Sequence, residues 1–503
     1  MKTICLNNND NVAIAIADLK KNISLKNLVT KNFIPKGHKI ALHNINLGDP
    51  IIKLNHIIGI ASKNIKKGEH IHTHNINLGK IDKININNKI FKNEKLNFIK
   101  KSFKGIKRYD GSIATRNYIG IITSVNCSST VAKNIASYFS KNSNPQILKN
   151  YNNVDGVVAL THSSGCAISN SGQGINMLKK TIGGYLRHPN FFGILFIGLG
   201  CETNNINSYI NNNKINNKFF YSYNIQKCGG TQKAIQIGID KIKKILPKAN
   251  LVKREQCDIK NIKIGLQCGG SDGFSGLTAN PGLGSAVDIL INHGGSAILS
   301  ETPEIFGAES LLINRCKNKK TAKDLINLIE WWKEYSKNNN TNVSNNPSFG
   351  NKEGGLSTII EKSLGAIAKS GSKKIQAVYK YADDIKIPGL VFMDSPGYDP
   401  ISATGQIASG ANLICFTTGR GSAFGSVPSP CIKISSNTDL WEKQNEDIDI
   451  NCGEILEGKK NINDLGITIF NEIVEVASGK KTKSEINGYG QEEFVPWVPE
   501  AIM

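Results

Sequence analysis

Hydrophobic and polar positions alternate differently in three stretches of the chain. Over residues 1–78 the apolar pieces are short and end at turn signals, PKGHK (35–39), LGD (47–49) and KKGEH (66–70), with no helical period between them. That pattern predicts a small all-β unit. Residues 79–103 are rich in lysine and asparagine without a regular apolar pattern and read as a linker. From residue 104 onward strand-like apolar runs alternate with helix-length segments, which predicts an α/β body with a mostly parallel, Rossmann-like sheet in its C-terminal part. A chain of 503 residues exceeds one ordinary core, so the body divides into a central domain, 104–256, and a C-terminal domain, 257–503.

Six apolar runs in the body end alike. GVVAL leads into THSSGC (156–166), ILFIGLG into CET (194–203), IKIGLQ into CGGSD (262–272) and AILS into ETPE (297–304). LVFM leads into DSPGYD (390–399) and LICF into TTGRGSAFG (413–425). In parallel α/β sheets ligands bind beyond the carboxyl ends of the strands. One glycine-rich loop after a strand merely turns the chain, whereas six bearing Cys, Asp, Glu, His or Arg predict a shared ligand edge, or two facing ones. None matches a dinucleotide fingerprint or a Walker lysine loop, which argues against a dehydrogenase or an NTPase.

Composition narrows the classes further. Charged residues form 20% and hydrophobic ones 39%, as in a globular protein, and no apolar run is long enough to span a membrane. The start, MKTICLNNNDNVAIAIADLKK, lacks the order of a signal peptide, which predicts a cytoplasmic protein. The net charge of +22 would suit a polyanion, but the lysines are scattered among asparagines and isoleucines, as in INNNKINNK (210–218). All three residue types have A/T-rich codons, so codon drift explains the charge and no nucleic-acid partner is expected.

Eleven cysteines are too sparse for a disulfide scaffold. Cys5, Cys257, Cys316, Cys415, Cys431 and Cys452 read as small hydrophobes. Cys127, Cys166, Cys201 and Cys268 lie in the polar loops, with Glu202, Asp272, Glu301 and Glu304. Soft thiolates beside hard carboxylates suit a divalent transition metal, iron favoured by the first and manganese by the second. An iron–sulfur cluster on three or four of these cysteines stays open as an alternative. His162 and Lys352 are candidates for moving protons if burial brings them toward neutrality, and Arg116 and Arg420 for forking onto a carboxylate. In HIHTHN, His70, His72 and His74 share one strand face, either solvated or closing over a substrate.

The same segments carry a family resemblance. RYDGSIATRNYIGIITSVNC, NVDGVVALTHSSGC, GLGCE, LQCGGSDGFSGLTANP, SETPEIFGAE, NNPSFGNKEGGLSTIIEKSLG and TTGRGSAFG resemble, in order, the motifs of the altronate/galactarate dehydratase family. Residues 1–78 resemble its SAF-like β-clip domain. The resemblance implies a hydro-lyase that removes water from a sugar acid with Fe2+ or Mn2+ as cofactor. It favours D-altronate, giving 2-keto-3-deoxy-D-gluconate in hexuronate catabolism, over galactarate or a related sulfo-lyase reaction, because the histidine-rich end resembles altronate-type members. It further implies a homodimer, His162 as base with Lys352 or Arg420 holding the carboxylate, and metal ligands among the cysteines and glutamates above. For substrate contacts it points to Arg116, Ser271, Asp272, Asn280, Asn351, Arg420, His72 and His74. Two departures, Phe349 for a common proline and SAFG (422–425) for a common TPxG, touch loop geometry and hence substrate preference.

Overall fold

A computed structural model describes residues 2–25, 28–79, 102–140, 143–212, 215, 217–341 and 346–499. Six strands of the N-terminal unit matter below: β1 (Val12–Ala15), β2 (Lys39–Ala41), β3 (Pro50–Lys53), β4 (His56–Ala61), β5 (His70–Ile71) and β6 (Ile76–Asn77). β2 pairs with β1 and β5, and β4 with β3 and β6, all antiparallel. The turns read from the sequence are real. Gly37, Gly48 and Gly68 each take φ between 83° and 89°, a backbone that side chains oppose, so the chain reverses there and strands stay short.

This unit is docked on the body. Its Ile45, Ile51, Ile58 and Ile71 belong to the same apolar core as Phe103, Leu283 and Leu364. From β2 and β3, Lys39 and Lys53 reach Glu361 of the body at 2.9 and 2.8 Å, with all three side chains buried. Most of the expected linker, residues 80–101, lies outside the described residues. Its last two positions open a strand, β7 (Ser102–Lys107), which pairs antiparallel with β12 (Glu255–Asp258) because Phe103 and Ile106 turn inward. The expected boundary at 256/257 therefore falls within a strand.

The central domain holds four parallel strands, β8 (Tyr118–Thr123), β9 (Gly156–Leu160), β10 (Phe191–Gly198) and β11 (Phe220–Asn224), in the order β9-β8-β10-β11. Ile119, Ile121, Leu195 and Ile197 face helices α1 (Ser129–Tyr138) and α3 (Thr231–Asn250), while Ile122, Ile194 and Phe196 face α2 (Gln173–Leu186). Both faces are covered, which is why these strands read as unbroken apolar runs.

The C-terminal sheet has seven parallel strands: β13 (Lys263–Cys268), β14 (Ser296–Leu299), β15 (Ile375–Tyr379), β16 (Gly389–Met393), β17 (Leu413–Thr418), β18 (Cys431–Ser435) and β19 (Ile450–Asn451). Their order is β15-β16-β14-β13-β17-β18-β19. The helices that matter below are α4 (Ala279–Asn292), α5 (Lys319–Asn338), α6 (Phe349–Glu353), α7 (Ile359–Ala368), α8 (Asp399–Ala408), α9 (Ile462–Ala477) and α10 (Lys483–Ile486). In each sheet the chain leaves its first strand on one side and returns on the other, so a switch point opens between β8 and β10 and between β13 and β17. Clefts form at such points. Among the described residues no helix is long and apolar enough to cross a membrane.

Candidate active site

At the C-terminal switch point lies a cavity of about 500 Å³, lined by Cys268 and Gly270 after β13, Glu304 after β14, Asp399 at the start of α8, Arg420 after β17, and Asn346, Asn351 and Lys362. The strand ends place these groups, and two helices finish the site. Lys362 lies on α7 and Lys369 just past its end, seven residues on and so on the same face. Lys362 Nζ donates to Glu304 at 2.7 Å and to Asn346 at 2.9 Å. Lys369 Nζ lies 3.0 Å from Cys268 Sγ and 3.2 Å from Glu301. Glu301 has φ of 71°, a left-handed backbone rare for this residue type, which re-aims its carboxylate at the strand end. Next to Cys268, Gln267 donates to Ser402 and Gln406, and Gln406 to Ser300, a buried polar network that leaves Oε1 of Gln267 without a partner.

The carboxyl groups in this cluster differ in proton affinity. Burial raises Glu301, and repulsion from Glu304 adds to it, bringing it to about 8. The same two causes raise Asp399 to about 7. Burial works against Glu304 too, but Lys362 and Lys369 hold it below the usual carboxylate range. Burial pushes the Cys268 thiol up to about 12, so it stays protonated at neutral pH. The cavity therefore pairs an ionised carboxylate with one that keeps its proton close to neutrality, the division of roles that acid–base catalysis requires.

The groups expected from the sequence fall into four places. Glu301, Glu304 and Cys268 meet here, their ligand atoms within 4.8 Å of one another, and Arg420 sits at the rim, paired with Glu353 at 2.9 Å. Of the expected substrate contacts Asn351 lines the cavity, whereas Ser271, Asp272 and Asn280 lie buried behind it, beside Lys53 and Glu361. Asp272 accepts hydrogen bonds from Ser275, Phe274, Ser436 and Asn437. Asn351 closes a capping box with Ser348 and donates to the Ser271 carbonyl, and Asn280 bonds to Gly365 and Thr417. Lys352 lies on α6, half-buried, outside the residues lining the cavity.

Cys127, Cys166, Cys201 and Glu202 lie instead at the ends of β8, β9 and β10 in the central domain. The three thiols are exposed, and Glu202 turns inward to accept from Ser124 and the Gly200 amide. The four cysteines grouped from the sequence thus divide between two sheets. His162 is on this second edge, with one ring nitrogen on the Thr123 carbonyl and the other accepting from the Ser164 amide. Burial lowers its pKa to about 4. It lines a separate cavity of about 540 Å³ with Asn126, Lys133, Glu492 and Phe494.

Arg116 is elsewhere again, fully buried, its guanidinium spent on Glu485 of α10 and on the carbonyls of Thr115, Val476 and Lys480. His72 and His74 belong to a histidine cluster where the N-terminal unit meets α6. Sequence reasoning passed over Lys362, Lys369 and Asp399. The two lysines had a signal, their heptad spacing in EKSLGAIAK, but it was lost among 62 basic residues, and Asp399 stood in DSPGYD without a partner to mark it.

Comparison with known proteins accounts for almost the whole chain. Residues 1–79 match the altronate/galactarate dehydratase SAF domain, 105–250 the D-galactarate dehydratase/altronate hydrolase second domain, and 259–502 the D-galactarate/altronate dehydratase C-terminal domain. The altronate dehydratase of Bacillus subtilis (strain 168) is 36% identical over 497 residues, 97% of each chain. That of Escherichia coli (strain K12) is 33% identical over 485 residues, 95% of this chain and 96% of its own. The galactarate dehydratase (L-threo-forming) of the same organism is 35% identical over 496 residues, 95% of this chain and 93% of its own. With all three family domains in order and this identity along the full length, the chain belongs to the altronate/galactarate dehydratase family.

Proposed function

We propose that the protein is a hydro-lyase that converts D-altronate to 2-keto-3-deoxy-D-gluconate and water, acting as a cytoplasmic homodimer in hexuronate catabolism. One observation carries the chemistry: Glu304 and Asp399 share a cavity beside Lys362 and Arg420, in surroundings that push the first below and the second above the ordinary carboxylate range. Arg420 binds the substrate carboxylate, and Glu304 takes the proton from the adjacent carbon, C2. The negative charge that builds toward the carboxylate is stabilised by Arg420 and Lys362. The electron pair closes a C2–C3 double bond as the C3 hydroxyl leaves, taking the proton of Asp399 to depart as water. The resulting enol picks up a proton at C3, loses one from its C2 hydroxyl and becomes the 2-keto acid. Transfer of a proton from Glu304 back to Asp399 restores both groups.

The family resemblance also implies Fe2+ or Mn2+. Cys268, Glu301 and Glu304 have the spacing for a small ion, yet each is already hydrogen-bonded to the ammonium of Lys362 or Lys369. A divalent cation there would face two positive neighbours. The set fits a proton network better than a resident ion, and the elimination above draws no step through a metal.

The test is a panel of aldonic and aldaric acids, galactarate included, assayed anaerobically with Fe2+ or Mn2+ for 2-keto-3-deoxy product. Altronate is expected to react fastest. Product from galactarate alone would move the substrate, sulfite release from sulfolactate would move the reaction, and silence across the panel would end the proposal.

A further inference from the structure

The cavity of about 540 Å³ at the edge of the central sheet has no task in the elimination. We infer that it is a binding site for one small polyhydroxylated carboxylate, with the carboxylate at the start of α1 beside Lys133 and the hydroxylated chain along the loop after β9. The inference rests on this cavity alone and stands apart from the dehydratase reading.

Three pieces of chain build it. Ser129 and Lys133 come from α1, Thr161 and Ser163 from the loop after β9, and Phe494 and Trp497 from a segment that crosses the opposite side. That segment is tied down. The Val495 amide donates to Thr404 Oγ1 at 3.0 Å, this hydroxyl donates to the Glu493 carbonyl at 3.0 Å, and the Trp497 amide donates to the Tyr381 hydroxyl at 3.3 Å. Phe494 and Trp497 are buried and form a wall that stands before any ligand arrives. The polar side can fix hydroxyl groups and the aromatic side the C–H groups between them, as in pockets where a few polar groups orient a ligand against apolar walls.

Charge decides the rest. Oγ of Ser129 is buried and has no hydrogen-bond partner among the described residues, although buried polar atoms are normally paired. It lies in the first turn of α1, which carries no acidic residue and no side-chain cap, so no side chain offsets the positive end of the helix. An anion suits such a terminus. Lys133 stands one turn on, on the face of Ser129, and adds a full charge. Its partner in the chain, Glu492, is 3.0 Å away, but the two side chains are 51% and 77% exposed, and an ion pair so exposed is weak enough to give way to a ligand anion. His162 does not compete. Burial keeps it neutral, and both ring nitrogens are engaged by backbone, on the Thr123 carbonyl and the Ser164 amide. One lysine and one helix end match a monocarboxylate, and the volume admits a chain of about six carbons.

D-Gluconate is the probe, compared with D-glucitol, the same chain without the carboxylate, and propionate, the carboxylate without the hydroxyls. Isothermal titration of the full-length protein is expected to find a gluconate site that Lys133→Glu weakens at least about tenfold. Arg420→Ala, which acts only on the C-terminal cavity, is expected to leave that site unchanged. Glucitol and propionate are each expected to bind it at least about tenfold more weakly than gluconate. Lys133 is half-exposed, so its exchange spares the fold, and Ser163→Trp, at an exposed position of the lining, blocks the same cavity by volume alone. Gluconate bound equally well by Lys133→Glu and Ser163→Trp would overturn the site, as would complete loss of binding in Arg420→Ala or no binding to the wild type. Glucitol bound as tightly as gluconate would overturn the anion, and propionate bound as tightly would overturn the hydroxylated chain. One equivalent kept in Arg420→Ala and lost in Lys133→Glu would establish this site even if the dehydratase reading failed.

Discussion

The two sheets present their carboxyl ends to opposite environments. Both are parallel, both open at a switch point, and both put a cysteine after the first strand, Cys127 after β8 and Cys268 at the end of β13. Yet Cys127, like Cys166 and Cys201, is exposed, whereas Cys268 is buried against Lys369. The difference comes from what covers each edge. Over the C-terminal edge lie α6, α7 and, through Lys39 and Lys53, the N-terminal unit, so charges there are desolvated and shift one another. Over the central edge lie its own loops, Ile401 of α8 and the residues around Phe494, and its thiols meet solvent. Topology thus chooses where a site can form, and the covering layer decides what chemistry it can perform.

Turnover is the strongest way to break this contrast. Glu304→Gln is expected to lower kcat about 10³-fold, while His162→Gln at the central edge stays within about tenfold of wild type, both with unchanged circular dichroism. Equal losses would merge the two edges into one site. Removing the cover comes next: Glu361→Ala leaves Lys39 and Lys53 buried without their counter-ion, and a denaturant melt is expected to show a loss of about 3–5 kcal/mol. A loss under about 1 kcal/mol, as for an exposed pair, would mean that the N-terminal unit is not held by this ion group.

A third test concerns the tie between the domains. Burial would raise the Glu485 carboxyl, but the hydrogen-bonded guanidinium of Arg116 keeps it at about 2. A carboxyl held lower in the folded than in the unfolded chain adds stability above its unfolded value, near 4.3, and loses it as pH falls toward 2. That contribution is on the order of 3 kcal/mol. Wild-type protein is therefore expected to lose stability steeply between about pH 4.5 and pH 2, and Glu485→Gln to be weaker at pH 7 with a flatter acid limb in urea melts. The smallest effect belongs to the exposed thiols. Cys201→Ser is expected to change stability by less than about 0.5 kcal/mol, and alkylation of the native protein to label Cys127, Cys166 and Cys201 well before Cys268.

The strand-and-loop grammar was legible before any coordinates because both faces of each sheet are covered, which leaves near-continuous apolar runs ending in polar loops. Cys268, Glu301 and Glu304 were legible among eight candidate ligands because they stand at or shortly after strand ends, but nothing in the sequence set these three apart from the other five. Lys362 and Lys369 were not, because a helix far along the chain delivers them and one lysine looks like another. Arg116 misled because a buried arginine saturated by Glu485 and a substrate-binding one are the same letter, and only the tertiary partner tells them apart. Separating the thiols of the two edges likewise needed strand order, which no local pattern encodes.

The helix α8 belongs to both edges at once. Asp399, its first residue, lines the cavity at the C-terminal sheet, and Ile401, two residues on, lines the cavity of the central domain. Its far end is pressed against α2, where Gly184 meets Ala408 with no room for a side chain. A rod pinned at one end and shared by two chambers cannot yield in one alone. A substrate that shifts the first turn of α8 is therefore expected to shift Ile401 in the second chamber with it.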